Sequence, residues 1–281
     1  NDCKLPEFKN QDTSFSQLCE TRARWLLDHA IKTNRKLAIM YSGGIDSTLI
    51  MVSLLKVASD EELYNHCVCI MNDLSITENP NFYNNYIVKK MRMKSSNAFD
   101  LFLGNDNYVF VSGEGGDQLF SAGNNVRMFK KLDDTFIFSE PTFDKIFKIL
   151  ADDTYSSSHD NIIIKNILLT NDNDIADLVQ ILNKVIKAAP FDLPNTIYHY
   201  FWWINFALKW QSVYARTAAY TSPHYQPTLK FEENFTTFFH FPEVQLWAMN
   251  NPDKFIKDDW KSYKYLVKDI IYDFNKDADY R

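Results

Sequence analysis

Two stretches of this 281-residue chain carry residue types that could handle a phosphate and a carboxylate together. The first is Ser42-Gly43-Gly44-Ile45-Asp46-Ser47, which interrupts an apolar run. Its paired glycines lack the Cβ atoms that keep a ligand from the backbone. The hydroxyls of Ser42, Ser47 and Thr48 can donate to phosphate oxygens. Asp46 is the odd member, because a carboxylate repels a phosphate. A divalent cation between them removes the repulsion, so Asp46 reads as a Mg²⁺ ligand. The second stretch is Ser112-Gly113-Glu114-Gly115-Gly116-Asp117, which holds three of the seven glycines. Its two carboxylates are costly together unless they meet a cation or a reacting group. A capped strand–helix junction and a solvated acidic loop are the purely structural alternatives. The presence of both stretches, each at the end of an apolar run, favours chemistry.

Such groups need a rigid rim. Leu37 to Met40 reads as a short buried strand, and Thr48 to Leu55 as a helix. Strand, glycine turn and helix N-terminus aim unpaired N–H groups at one place, which makes an anion site. His66 to Met71 and Tyr108 to Val111 are two further strands. Ser14 to Thr33 carries a helical apolar stripe, and Phe82 to Met93 and Ala98 to Leu103 read as helices. Ala58 to Glu62 reads as a polar break and Asp73 to Asn81 as a loop. Strands alternating with helices predict an α/β fold with a parallel sheet, whose ligands sit outside the carboxyl ends of the strands. Both glycine turns then share one rim. Beyond about residue 140 the spacing is helical, at Phe143 to Ala151, Asn161 to Leu169, Ile175 to Ala188, Thr196 to Tyr220, Phe241 to Met249 and Lys261 to Phe274. Loops are expected at 152–160 and 170–174. The expected organisation is an α/β core over 1–140 and a mainly helical part over 141–281.

Composition sets outer bounds. A net charge of −6 argues against a nucleic-acid partner, which usually meets a basic face. Cys3, Cys19, Cys67 and Cys69 form no C-x-x-C pair, so buried free thiols are expected rather than zinc or redox chemistry. No stretch of 18 apolar residues and no secretory leader is apparent, which gives no membrane span and a cytoplasmic expectation. The start at Asn1 rather than Met implies removal of something upstream. The histidines show no metal-like pairing. Tyr198, Tyr200, Phe201, Trp202, Trp203 and Trp210 read as helix-packing core rather than a base-stacking platform. Asp152-Asp153 and Asp258-Asp259 read as solvated loop charges.

The first stretch resembles the Ser-Gly-Gly-x-Asp-Ser pyrophosphate loop of the ATP pyrophosphatase superfamily. The pair SGGIDS and SGEGGDQLF is similar to the synthetase domain of asparagine synthetases, in which the second motif reads Ser-Gly-Glu-Gly-x-Asp-Glu; Gln118 stands here for the final Glu. GMP and NAD synthetases and tRNA thiolation enzymes share the first motif but not the second. The resemblance covers roughly 37–56 and 108–122, and more weakly Pro242 to Met249 and Lys257 to Tyr272. It implies an adenine nucleotide alpha hydrolase-like (HUP, Rossmann-like) fold and an amide ligase that cleaves ATP to AMP and pyrophosphate. By position, Ser42, Gly43, Gly44, Asp46 and Ser47 would hold the pyrophosphate end of ATP. Met40, Ile70, Ser112 and Gly113 would surround the adenosine, Asp46 and Asp117 would share Mg²⁺, and Glu114 would act as base or positioning group, with Asp117 in the catalytic set. The implied partners are a small-molecule carboxylate, by default aspartate, and ammonia or an amine.

Three departures accompany the resemblance. No glutaminase domain precedes the loop, so glutamine hydrolysis is expected to be absent from this chain, and a separate glutaminase or amine-supplying protein becomes a candidate partner. The span between segments 66–72 and 95–112 is short where the family usually has a further strand and helix. The family's Arg-x-Lys-x-Gly loop would begin about where Arg281 stands. Lys257, Lys261, Lys264 and Lys268 do not match it and are expected mostly as exposed helix lysines. Alternatives within this resemblance are an adenylating ligase or cyclase acting on another carboxylate and amine, and an impaired nucleotide-binding homologue.

Overall fold

The computed structural model describes residues 5–98, 106–120, 133–142, 172–220, 234–257 and 259–278. They fall into two compact units. One comprises 1–116, 211–247 and 264–281; the other comprises 117–210 and 248–263.

The first unit begins with α1 (Phe15–Lys32), whose Ser14 and Gln17 form a reciprocal capping box. It is followed by β1 (Lys36–Met40), α2 (Ile45–Val57), α3 (Asp60–His66) and β2 (Cys67–Met71). Next come α4 (Asp73–Glu78), α5 (Pro80–Phe82), a π-helical segment (Tyr83–Ile87) and α6 (Val88–Lys90). β3 (Arg92–Ser95) and β4 (Tyr108–Ser112) complete the early strands. Late in the chain, β5 (Phe235–Thr237) pairs with β4, and α12 (Tyr265–Asn275) packs on α2.

The sheet is all-parallel in the order β3-β2-β1-β4-β5, with helices flanking it. That order reverses direction between β1 and β4. In open α/β sheets a crevice forms at such a switch, outside the carboxyl ends of the strands. Ala38, Ile70, Phe110 and Phe235 form a buried cluster across four strands, with Met40 and Tyr108 packed against it. α1 is tied to the far strand by Arg22, which donates to Thr236 Oγ1 at 3.1 Å and to the Thr237 carbonyl at 3.2 Å.

The second unit contains α7 (Gly116–Leu119) from Asp117 onward, α8 (Asp134–Ile137), α9 (Asp172–Lys187) and the part of α10 (Ile197–Tyr220) up to Trp210. α11 (Pro242–Asn250) ends in it. Its core is aromatic: the Trp202 ring lies 4.8 Å from Phe255 and 5.3 Å from Phe206. The indole N–H groups of Trp202 and Trp203 donate to the carbonyls of Leu119 (3.0 Å) and Val185 (2.7 Å). Tyr198, Trp202, Trp203 and Trp210 are buried, as expected of packing core. His199 sits between Thr196 Oγ1 (2.7 Å) and the Pro252 carbonyl (3.2 Å), and burial lowers its pKa to about 4.

Several sequence expectations need correction. The expected division at 140 does not coincide with the compact units, because β5 and α12 return the late chain to the first unit. The short span between segments 66–72 and 95–112 leads into β3, and Phe82 to Met93 is not one helix, since β3 begins at Arg92. Arg92-Met93-Lys94-Ser95 has no apolar run; its exposed edge position explains the composition. The polar break at 58–62 contains the start of α3, where Ser59 and Glu62 cap each other. Asp73 to Asn81 is not a loop, because Asn72 caps α4. Asp172 to Asp174 begin α9 rather than ending a loop. The helices expected at 143–151 and 161–169, the loop at 152–160 and residues 99–103 lie outside the described residues. Cys19, Cys67 and Cys69 are buried free thiols. Burial raises all three above the ordinary thiol range, Cys67 to about 12. Among the described residues no helix is long and apolar enough to cross a membrane.

Candidate functional site

β1 delivers the first glycine turn to the carboxyl edge of the sheet. The Tyr41 N–H donates to the Ile70 carbonyl at 2.8 Å, so the chain stays aligned with β2 one residue beyond the strand. Gly43 then takes φ +85°, a left-handed conformation open to glycine. A Cβ there would lie 2.5 Å from the Ser75 carbonyl oxygen and 2.7 Å from Glu78 Cβ. Gly44 is extended and serves as N-cap of α2, with no side-chain cap for the first-turn N–H groups. That leaves a helix N-terminus suited to an anion.

The loop is held by its own hydroxyls. The Ser42 N–H donates to Ser47 Oγ at 3.2 Å, and the two serine oxygens are 3.1 Å apart. Ser47 Oγ donates to the Gly44 carbonyl at 3.0 Å, while the Gly44 N–H donates to Ser42 Oγ at 3.3 Å. Thr48 Oγ1 donates to the Gly43 carbonyl at 3.3 Å. Each bond is worth only about 1 kcal/mol. Together they set the loop before any ligand arrives.

The second glycine turn, at the end of β4, meets the first at Asp46. A Cβ on Gly113 would stand 3.1 Å from Asp46 Cβ, and one on Gly116 only 2.5 Å from the Asp46 carboxylate. Gly115 takes φ +92°. The turn closes through Gly116 N–H to the Gly113 carbonyl at 3.3 Å, and Glu114 N–H donates to Ser112 Oγ at 3.4 Å. β5 steadies its base, since the Phe238 N–H donates to the Ser112 carbonyl at 2.9 Å. The two motifs are neighbours because β1 and β4 pair in parallel, Ile39 opposite Val111.

Asp46 has a partner that sequence reasoning missed. Lys264 Nζ donates to both Asp46 oxygens at 2.8 Å. The Lys264 side chain is 5% exposed and that of Asp46 is 20% exposed. Lys264 therefore departs from the expected surface lysine, whereas Lys257 and Lys261 are exposed. Its backbone is left-handed, φ 55°, at the N-cap of α12. A non-glycine residue in that region is strained, and such strain gathers at functional sites. Lys268, one turn further along α12, is half-buried; desolvation and then the Lys264 charge lower its pKa. Nothing in the lysine spacing distinguishes Lys264 from its neighbours. The kink that turns it inward arises where α12 starts at Tyr265 rather than Lys261.

Of the remaining expected residues, Ser112 is buried, and Gly113 and Glu114 are half-buried. Met40 is half-buried against the sheet cluster, and the Ile70 side chain, 3% exposed, is inside that cluster. Asp117 belongs to the second unit, where its carbonyl accepts from Asn205 Nδ2 at 3.3 Å. Gln118 is buried in the same unit. Ser42, Gly43, Gly44, Asp46, Ser47 and Gly113 are brought together in the first unit.

A magnesium ion at this edge would need carboxylate oxygens, and the two of Asp46 both accept from Lys264 Nζ. Mg²⁺ is usually held by one or two carboxylates plus phosphate oxygens and water. Among the described residues no three His, Cys, Asp or Glu converge on one point. Within the first unit such an ion would draw on Asp46, with the phosphates of a bound nucleotide and water supplying the rest. It would share Asp46 with Lys264. No family model matches the chain, and no curated protein sequence matches it.

Proposed function

We propose that the chain is an ATP-dependent amide ligase of the asparagine-synthetase type, with an adenine nucleotide alpha hydrolase-like core, forming AMP and pyrophosphate. The observation that carries this reading is the meeting of the two glycine turns on Asp46 at the β1/β4 switch point. A generic phosphate loop needs only the first turn. The second adds Glu114 beside Ser112 at the same strand end.

In this reading Ser42, Ser47 and the first N–H groups of α2 take the β- and γ-phosphates, where most negative charge develops as pyrophosphate leaves. A substrate carboxylate oxygen attacks the α-phosphorus, the bond to the β-phosphate bridging oxygen breaks, and an acyl-adenylate results. Ammonia or an amine then attacks the acyl carbon. AMP leaves, and the amide is released after the nitrogen gives up a proton. Glu114 is the carboxylate assigned to receive or direct that proton. Bound magnesium supplies charge neutralisation at the phosphates. Lys264 holds the Asp46 carboxylate in place and brings a cation to the loop. Its burial supports retained turnover, because the motif comparison alone left the site without a lysine.

Aspartate with ammonia is the default substrate pair. The test is pyrophosphate and AMP release measured over aspartate, other free amino acids and larger carboxylates, each with ammonia or an amine. AMP formation that requires one carboxylate supports the reading and identifies the substrate. Nucleotide binding with no AMP formed from any carboxylate overturns it.

A further inference from the structure

Asp46 carries the same sign of charge as a phosphate, so a phosphate cradle that includes it needs a cation. Magnesium is one remedy, usually held by one or two carboxylates with phosphate oxygens and water. The first unit holds another. Lys264 Nζ stands 2.8 Å from both Asp46 oxygens, so the chain itself supplies a neutralising charge.

The surroundings of this pair favour a further anion. Asp46 lies in the first turn of α2 and Lys264 is the N-cap of α12, and neither helix start has a side-chain cap. The two helices pack on each other. The positive ends of two helix dipoles therefore join the ammonium around one carboxylate. Lys268 adds to this field: it is half-buried one turn along α12, and burial and then the Lys264 charge lower its pKa. The Asp46 carboxylate lies against the second glycine turn, where a Cβ on Gly116 would stand 2.5 Å from it. Lys264 is 4% exposed and the Asp46 side chain 20% exposed, so solvent reaches the pair from the Asp46 side.

We infer that Lys264 is the resident cation of the glycine loop, and that the loop binds a free polyphosphate without a divalent metal. Lysine acts toward phosphate as a point charge, and its three hydrogens can serve carboxylate and phosphate oxygens together. Metal carried in by a nucleotide then serves turnover rather than binding. The inference rests on the phosphate reading of the loop and stands whether or not a carboxylate is adenylated.

The test is calorimetric titration of the whole chain with inorganic pyrophosphate, once in EDTA and once in Mg²⁺. The expected result is saturable binding in EDTA. Lys264→Met should weaken that binding about tenfold or more, and should weaken binding in Mg²⁺ by less. Lys264→Arg, which keeps the charge, should retain more of the EDTA binding than Lys264→Met. Asp46→Asn should leave it intact or tighter, because a competing anion is gone. Unchanged near-ultraviolet circular dichroism shows that the variants keep the fold. Wild-type binding that appears only with Mg²⁺ overturns the inference and leaves the phosphate reading standing; no binding in either condition overturns both. An equal loss for Lys264→Met with and without Mg²⁺ overturns it too, as does a loss for Asp46→Asn as large as that for Lys264→Met.

Discussion

The two glycine turns at the β1/β4 edge do opposite jobs with the same residue. The turn at 42–47 brings groups: Ser42, Ser47 and Thr48 satisfy one another and its carbonyls, so the loop is pre-set. The turn at 112–117 brings room: Gly113 and Gly116 let the second turn close onto Asp46. One spacing of residue types encodes a cradle, and a second encodes the space that the cradle's acid requires. Asp46 belongs to the first turn in sequence and to both in space.

Variants at these positions can break or sharpen that contrast. Gly43→Ala should have the largest effect. It combines φ +85° with a backbone oxygen 2.5 Å from the new Cβ, and a loss of roughly 2 kcal/mol or more is expected, with nucleotide binding lost. Chemical denaturation and nucleotide titration would check it. Gly116→Ala comes next. The added methyl must push aside a carboxylate that Lys264 holds at both oxygens. Stability should fall less than for Gly43→Ala, but Mg²⁺-dependent nucleotide binding should fall with it.

Lys264→Met removes the counter-charge from Asp46. Breaking a fully buried pair costs about 3–5 kcal/mol, and the partial exposure of Asp46 reduces the expectation to roughly 1–3 kcal/mol. Lys264→Asn separates charge from strain, since Asn tolerates the left-handed backbone. If Lys264→Asn is as damaging to nucleotide binding as Lys264→Met, charge is the reason. Ser47→Ala should cost about 1 kcal/mol through its lost hydroxyl bonds. Gly44→Ala should be the mildest, because its Cβ would meet nothing nearer than Ser42 Oγ at 3.4 Å. A Gly44→Ala effect equal to that of Gly43→Ala would remove the distinction between the two positions.

Much of this edge was legible in the chain. Apolar runs ending in glycine turns marked β1 and β4, and their shared rim followed from strand–helix alternation. β3 and β5 were not legible, because a four-residue charged edge and the three residues Phe235-Thr236-Thr237 carry no period. Lys264 was hidden for another reason. Helical spacing through Lys261 to Phe274 predicted one continuous helix, whereas the backbone reverses to φ 55° at Lys264 and turns its ammonium inward. The short helix α4 was missed although Asn72 and Ser75 stand at capping distance; Asn79-Pro80 drew the reading toward a loop.

The central claim is that this edge cleaves ATP at the α-phosphorus to activate a carboxylate. The most direct measurement supplies ¹⁸O-labelled carboxylates with ATP, Mg²⁺ and ammonia or an amine, starting from aspartate, and follows the label into the nucleotide product. The account predicts pyrophosphate together with ¹⁸O-labelled AMP, both abolished by Asp46→Ala. Formation of ADP and phosphate, or unlabelled AMP, would contradict it.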